Sequence, residues 1–231
     1  MESAVKIYER VSPRDSILIA GVPSLGLVAN IVASHMIICL KANKVGEIIS
    51  PVFQDIVITT LNGDVQSPSI ELFHSRCEGS NDLIILYGNS QALTNFGQYE
   101  LCGKILDTVQ NMGCKSVICI GGLRKSSTTG TPKVYCTATD FKTLDKALTY
   151  GLSIVQGHIF GISGLLLGLA KIRGMEGLCL LVETTGIYPD AVATKIILDK
   201  LNNILGLNID SIDLTKSLDK VSKTLEPPKG L

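Results

Sequence analysis

The sequence predicts an α/β fold, a three-layer α/β/α arrangement with a mostly parallel central sheet, and two observations carry this. Short β-rich apolar runs alternate with longer segments of helical period. The runs are apolar almost without interruption, which is the pattern of strands covered on both faces rather than on one.

Taken in chain order, the first core strand is Ser16–Ala20 (SILIA), and a glycine-bearing turn leads from it into a helix over Leu25–Lys41. On that helix Val28, Ile31, Val32, Met36, Cys39 and Leu40 share one stripe by i, i+3, i+4 spacing. Val45–Ser50 is the second strand. Ile56–Leu61 and Ile70–His74, separated by Asn62, Gly63, Asp64 and Pro68, read as an antiparallel excursion at one edge. Asp82–Tyr87 (DLIILY) returns to the centre, and a helix over Gln98–Met112 follows, with Gly113 at the position of a C-terminal cap.

Ser116–Ile120 (SVICI) and Gly177–Val182 (GLCLLV) complete the strands. Between them Ser163–Arg173 is apolar on every side, which predicts a helix fully covered by the sheet or by a neighbouring subunit. The stretch Ile159–Ala170 is too short to span a bilayer, for which about 20 apolar residues are needed, and Gly161, Gly164 and Gly168 interrupt it. A last helix opens with Pro189 in its first turn, turns Ala193, Ile197, Leu201, Ile204 and Leu205 inward, and ends near Gly206. Residues 1–223 are expected to form a single α/β domain, and Thr224–Leu231 (TLEPPKGL) a flexible C-terminal tail.

Composition narrows the function. The 21 basic residues balance 21 acidic ones, so no long-range field favours a polyanion and nucleic acid is not expected as a partner. Only 18% of residues are charged and mean hydropathy is +0.33, the composition of a chain that covers itself by forming a homo-oligomer. The seven cysteines have no CxxC pair and no histidine at zinc spacing, so they read as small buried hydrophobes in a reducing, cytoplasmic setting, with no metal. Met1–Arg10 carries Glu2, Lys6, Glu9 and Arg10, unlike a signal peptide, and neither export nor a membrane partner is expected.

Candidate site residues gather in loops after the strands, where open α/β sheets place ligands. Gly21, Ser24 and Gly26 lie in the turn after the first strand and are placed to cradle an anion, or else permit a tight turn and close helix packing. Gly121, Gly122 and Arg124 open a second loop running to Gly130, rich in hydroxyls and cations, which suits either phosphate or a polar surface loop. If that loop is exposed, Arg124 and Lys125 also suit a protein partner. Glu183 and Thr184 end the last strand, and Glu183 is the best candidate for a perturbed carboxylate. Asp190, beside Pro189, is explained by the positive end of a helix dipole. Of the histidines, His35 lies on an apolar stripe and His74 in the edge excursion, leaving His158 alone at a glycine-flanked junction. No nucleophile elbow, HExxH, paired carboxylate or EF-hand loop is present, so an enzymatic reading has no motif beneath it.

The run Gly21–Val28, the stretch Gly63 and Pro68–Leu72, the strand Asp82–Gly88, the turn Gly121–Gly122, Gly157–Gly164, and Glu183–Gly186 with Pro189 and Asp190 together resemble the proteasome assembly chaperone 2 family over about nine-tenths of the chain. The resemblance implies a three-layer α/β/α domain of the phosphorylase/hydrolase-like kind, often a homo-oligomer in archaea. It also implies ATP-independent chaperone activity, with no cofactor, on proteasome α subunits. Some members end in a hydrophobic-tyrosine-any residue motif, whereas this chain ends Lys229, Gly230, Leu231; a terminal peptide can still be captured by a partner's pocket, which keeps Leu231 as a candidate contact. The residues leave a second reading open: a small-molecule or nucleotide-binding protein or enzyme built on the glycine loops.

Overall fold

The computed structural model describes residues 2–59, 63–125 and 130–225. Among them one sheet of nine strands is formed by β1 (Ala4–Ile7), β2 (Ile17–Gly21), β3 (Asn43–Ile49), β6 (Ile70–Ser75), β7 (Leu83–Gly88), β8 (Ser116–Arg124), β9 (Val134–Ala138), β10 (Ser153–Ile154) and β11 (Glu176–Thr184). A hairpin of β4 (Ile58–Thr59) and β5 (Val65–Gln66) stands apart. The order across the sheet is β1-β3-β6-β7-β2-β8-β11-β9-β10.

The centre, β7-β2-β8-β11, is wholly parallel, with Ile17 opposite both Leu83 and Ser116 and Cys119 opposite Cys179. One flank, β1-β3-β6, joins β7 antiparallel; on the other, β9 lies antiparallel to β11 and parallel to β10. The expected fold class is thus found, with the parallel character concentrated where strands are buried on both faces. The edge excursion is corrected. Ile70–Ser75 is an inner strand between β3 and β7, and Ile58–Thr59 pairs with β5 rather than with it. Pro68 keeps residues before Ile70 out of the sheet, because a proline has no amide to donate to a ladder.

Six helices make the outer layers: α1 (Val28–Cys39), α2 (Asn95–Asn111), α3 (Phe141–Leu148), α4 (Gly161–Ile172), α5 (Ala191–Leu205) and α6 (Thr215–Leu225). On one face α1, α3, α5 and α6 pack on Ile19, Ile85, Ile118, Ile120 and Leu180. On the other, α2 and α4 pack on Leu18, Ile84, Leu86, Cys119 and Leu181. Each such side chain taken fully out of water stabilises by about 1.5–3 kcal/mol.

The caps follow the sequence. Thr94 accepts from the Gly97 amide at 3.0 Å to start α2, and Asp140 from the Thr143 amide at 2.8 Å to start α3. Gly113 follows α2 with φ +91°, and Gly206 closes α5 in the left-handed region at φ +65°. Pro189 stands before the cap of α5, not inside its first turn, because Asp190 is the N-cap and accepts from the Ala193 amide at 2.9 Å. The peptide before Pro189 is cis.

Burial departs from the one-sided reading twice. In α1 every residue from Val28 to Ile37 is buried, because α5 and α6 pack over the side facing away from the sheet. His35 is enclosed there, with Nδ1 3.0 Å from Ser217 Oγ and Nε2 against the Asp210 carbonyl. In α4, Ile162, Leu166, Leu167 and Ala170 are buried, yet Gly161, Gly168 and Ile172 face outward on the chain alone, so the full cover expected over Ser163–Arg173 is absent within one chain. The six residues 226–231, most of the segment read as a tail and including Leu231, lie outside the described residues; residues 224 and 225 belong to α6.

All seven cysteines are free thiols, and six are buried. Burial pushes the Cys102 and Cys179 thiols up to about 12, and Cys114, despite its Ser16 contact, to about 11. Cys39, on the exposed end of α1, is the exception in access. A maleimide titration of native protein followed by intact mass is expected to add one label at Cys39 within minutes. The other six should react only after unfolding; more than one fast adduct would contradict the packing described.

Candidate functional site

The three segments singled out in the sequence converge at the carboxyl ends of the parallel strands, though two of them are not loops there. Strand β8 continues through Gly121, Gly122 and Leu123 to Arg124, paired along Leu181–Thr184 of β11. Glu183 and Thr184 are accordingly the last residues of a long strand. A nine-residue strand escapes a reading by apolar runs because its last four residues are Gly-Gly-Leu-Arg, with nothing buried beyond Gly121.

The glycines are set by packing. A Cβ on Gly21 would lie 2.0 Å from Ala33 Cβ and 2.7 Å from the Leu86 carbonyl oxygen, so only hydrogen lets α1 lie down on β2. A Cβ on Gly122 would lie 2.4 Å from the Leu25 carbonyl oxygen, which comes from the 3₁₀ turn Leu25–Leu27 resting on β8. Gly26, inside that turn, has φ +69°, and its carbonyl accepts from the Asp190 amide at 3.0 Å. Ser24 accepts from the Ala29 amide at 3.1 Å, so its hydroxyl is engaged in starting α1.

Glu183 leads away from catalysis. Its carboxylate accepts from the Lys133 amide at 2.9 Å and the Tyr135 hydroxyl at 3.2 Å, and pairs with Lys125 at 3.1 Å. The Lys133 amide foremost, then Lys125, outweighs desolvation and holds the carboxyl below its ordinary range, opposite to what a general acid needs. Thr184 is buried; it donates to Asp190 Oδ2 at 2.6 Å and accepts from the Gly186 amide at 3.1 Å. Glu183 and Thr184 therefore tie β11 to its neighbours and do not line the cavity at this end.

That cavity, of about 640 Å³, does take in Ser24, Gly121, Gly122 and Arg124 from the predicted set, and adds Gln91, His158 and Phe160. Gly21, Gly26, Glu183 and Thr184 stand outside its lining. Gln91 anchors one wall, donating to the Pro23 carbonyl and accepting from Gln98 Nε2 at 2.9 Å. Ser163 anchors another, donating to the Ile120 carbonyl at 2.9 Å and fixing the start of α4 on β8. His158 is exposed, with its ring centroid 6.0 Å from that of Phe160. Among the described residues no nucleophile, base and orienting group are assembled at this end.

What the sequence reading missed is the rim. Leu93 just before α2 and Phe96 in its first turn, Phe160 before α4, Ile187 and Tyr188 between β11 and α5, and Val192 in the first turn of α5 are all exposed, Phe96 and Phe160 by more than 80%. Each belongs to a connection at the carboxyl ends of the parallel strands, so the topology gathers them on one face. Isolated exposed apolar residues are ordinary, but six in the connections at one end of the sheet, with Phe160 on the cavity wall itself, are of the kind that marks contact with another molecule. No signal in a single sequence separates such residues from helix-stripe residues until their direction is known.

Among the described residues no group of three His, Cys, Asp or Glu side chains is placed to hold a metal ion, and no helix is long and apolar enough to cross a membrane. A family model described as the PAC2 family matches residues 18–226. The crystal structure of Pyrococcus furiosus PbaB, described as an archaeal proteasome activator, superposes with a TM-score of 0.87 at 34% identity, covering 96% of each chain. Pyrococcus furiosus PbaA, described as an archaeal homolog of proteasome-assembly chaperone, superposes with a TM-score of 0.78 at 24% identity over 95% of this chain and 92% of that one. Protein MJ1210 of Methanocaldococcus jannaschii is 29% identical over 93% of this chain and 83% of its own length.

Proposed function

We propose, from the premise that this chain belongs to the PAC2 family, that it acts as an ATP-independent proteasome assembly chaperone-like protein. In this reading it works in the cytoplasm as a homo-oligomer and binds proteasome α subunits through the apolar rim at the strand ends. The observation that carries the reading is the rim itself: Leu93, Phe96, Phe160, Ile187, Tyr188 and Val192 exposed together where an enzyme of this architecture would hold its reacting groups. The relative at 34% identity, described as a proteasome activator, supports the same partner. Arg124 stands beside the rim against the Gly186 turn and supplies a bidentate donor to a partner; Lys125, held by Glu183, adds charge behind it, and Leu231 is a further contact in this proposal.

The test is native mass spectrometry of the chain with the α subunits of its own organism. A complex is expected at low micromolar concentration, and the double variant Phe96→Glu, Phe160→Glu is expected to weaken it at least tenfold. Because both side chains are exposed, the melting temperature should stay within about 2 °C of the parent, in keeping with surface changes of about 0.5 kcal/mol or less. Undiminished binding by a folded double variant would rule out the rim as the contact.

The 640 Å³ cavity supports the alternative, a small-molecule or nucleotide site in which Ser24, Gly121, Gly122 and Arg124 are the contacts. Thermal shift with ATP, ADP and inorganic phosphate separates the two: a saturable rise that Arg124→Ala abolishes is the outcome this alternative requires.

A further inference from the structure

Another cavity, of about 480 Å³, opens at the opposite end of the sheet, by the amino ends of the parallel strands. Three segments wall it: residues 9–12 after β1, residues 40–43 between α1 and β3, and residues 74–76 at the end of β6. Each contributes one exposed cation, Arg10, Lys41 and Arg76, and against these three the lining holds one carboxylate, Glu9. Among the described residues no carboxylate comes within ion-pair distance of the three, whereas Lys6, Lys44, Lys115, Lys125 and Arg173 each have such a partner. The formal charge of the whole chain is zero, so the excess is local to this cavity.

The walls are fixed by groups other than the cations. Buried Asp82 accepts from the Arg14 amide at 2.9 Å and the Cys77 amide at 3.4 Å, and its own amide donates to the Arg14 carbonyl at 3.2 Å. One residue thus fastens both the segment that carries Arg10 and the segment that carries Arg76. The Glu9 amide donates to the Val45 carbonyl at 3.3 Å, and Asn43 stands opposite His74 in the ladder of β3 with β6, which sets the third wall beside them. Lys41 follows α1 in the left-handed region, at φ +50°, where a helix end ordinarily carries glycine. Like charges gathered around one space repel, and an anion between them removes that repulsion.

We propose that this cavity is a binding site for a compact polyphosphate, a short chain of linked phosphate groups without a carbon body. Arginine presents its donors in a planar fork that meets two phosphate oxygens at once, and two forks with an ammonium match the charge of several linked phosphates better than that of one. Ser12 and Asn43 line the same space and add hydrogen-bonding groups. Of the lining residues only Val11 and Leu40 are apolar, so little surface is offered to carbon, and a nucleoside or a polycarboxylate fits less well. The site lies at the end of the sheet away from the apolar rim, and its fate does not bear on the proteasome reading.

The probe is sodium tripolyphosphate, titrated calorimetrically into the full-length protein without added metal at about 0.1 M salt, where the screening length is about 10 Å. One saturable site is expected, with orthophosphate and citrate binding more weakly. Arg10→Gln and Arg76→Gln should each weaken it about tenfold or more through the loss of a charge-assisted hydrogen bond, and should leave the melting temperature unchanged because both side chains are exposed. Lys41→Gly should weaken it too, with a melting temperature level with the parent or higher, since glycine suits the left-handed position. A titration without a saturable site overturns the proposal, as does binding that Arg124→Ala removes while the folded Arg10→Gln and Arg76→Gln proteins retain it. Citrate binding as tightly as tripolyphosphate overturns the assignment to phosphate.

Discussion

Gly21→Ala is expected to lower stability by about 3 kcal/mol or more, at the upper end of the usual 1–3 kcal/mol for overpacking. The added methyl has no direction in which to relax. It meets Ala33 on α1, the Leu86 carbonyl on β7 and the Ala29 carbonyl, and two of these three are backbone. Strand β2 lies between β7 and β8, so a shift to accommodate the methyl disturbs two ladders as well as the seat of α1. Urea denaturation measures this as a fall in midpoint with an unchanged slope. The same experiment decides what the glycine is for: a folded Gly21→Ala protein of unaltered midpoint would mean that the residue serves a ligand rather than the helix.

Asp82 carries the second large effect. Its side chain is fully buried where the chain enters β7, yet it accepts from the Arg14 amide at 2.9 Å and the Cys77 amide at 3.4 Å, with His74 Nε2 at 3.6 Å. Desolvation alone would raise its proton affinity, but the two amides together with His74 and Arg14 outweigh it and the carboxyl is held below its ordinary range. A depressed folded-state pKa means that the stabilisation is present above the unfolded value of about 3.9 and is lost as pH falls through the folded value. Asp82→Ala is therefore expected to cost about 3 kcal/mol at pH 7, since it strands two amide donors and the His74 ring. Asp82→Asn should remove the part of the acid-limb slope due to this group. If the acid limb of Asp82→Asn matches that of the parent below pH 4, the carboxylate is not the anchor described.

The central strands were legible because burial on both faces leaves an unbroken apolar run, as in Asp82–Tyr87, and α2 and α5 because apolar residues recur at helical spacing, Cys102, Ile105 and Val109 in one and Ala193, Ile197 and Leu201 in the other, with Gly113 and Gly206 just past their ends. What escaped is short or polar. Strand β1 offers four residues with none fully buried, β10 two, and α3 a single buried side chain, Ala147. Helix α6 is lysine-rich and meets the core through Ser217 and Val221, too narrow a stripe to stand out from a solvated segment.

The candidate site was legible only as a location. Gly121, Gly122 and Arg124 were found at the strand ends, but their glycines proved to be spacers, and Glu183 proved to be a tie between β11, Lys133 and Tyr135. The direction in which a side chain points at a strand terminus depends on where the strand stops. Here β8 and β11 each run further than their apolar runs, which turns an expected loop cluster into paired backbone.

The order of the strands also has a bearing on biosynthesis. Strands β1, β3, β6, β7 and β2 all come from the first 88 residues and occupy one contiguous side of the sheet, while β8, β11, β9 and β10 occupy the other. Among the described residues the ladder that joins these groups is the pairing of β2 with β8. A nascent chain leaving the ribosome can therefore lay down five neighbouring strands before the remainder has been translated, and β2 waits at the growing border as a template. For a chain that exposes apolar side chains such as Phe96 and Phe160, an early shelter for five of the nine strands of the main sheet shortens the interval in which a bare ladder is open to a stranger.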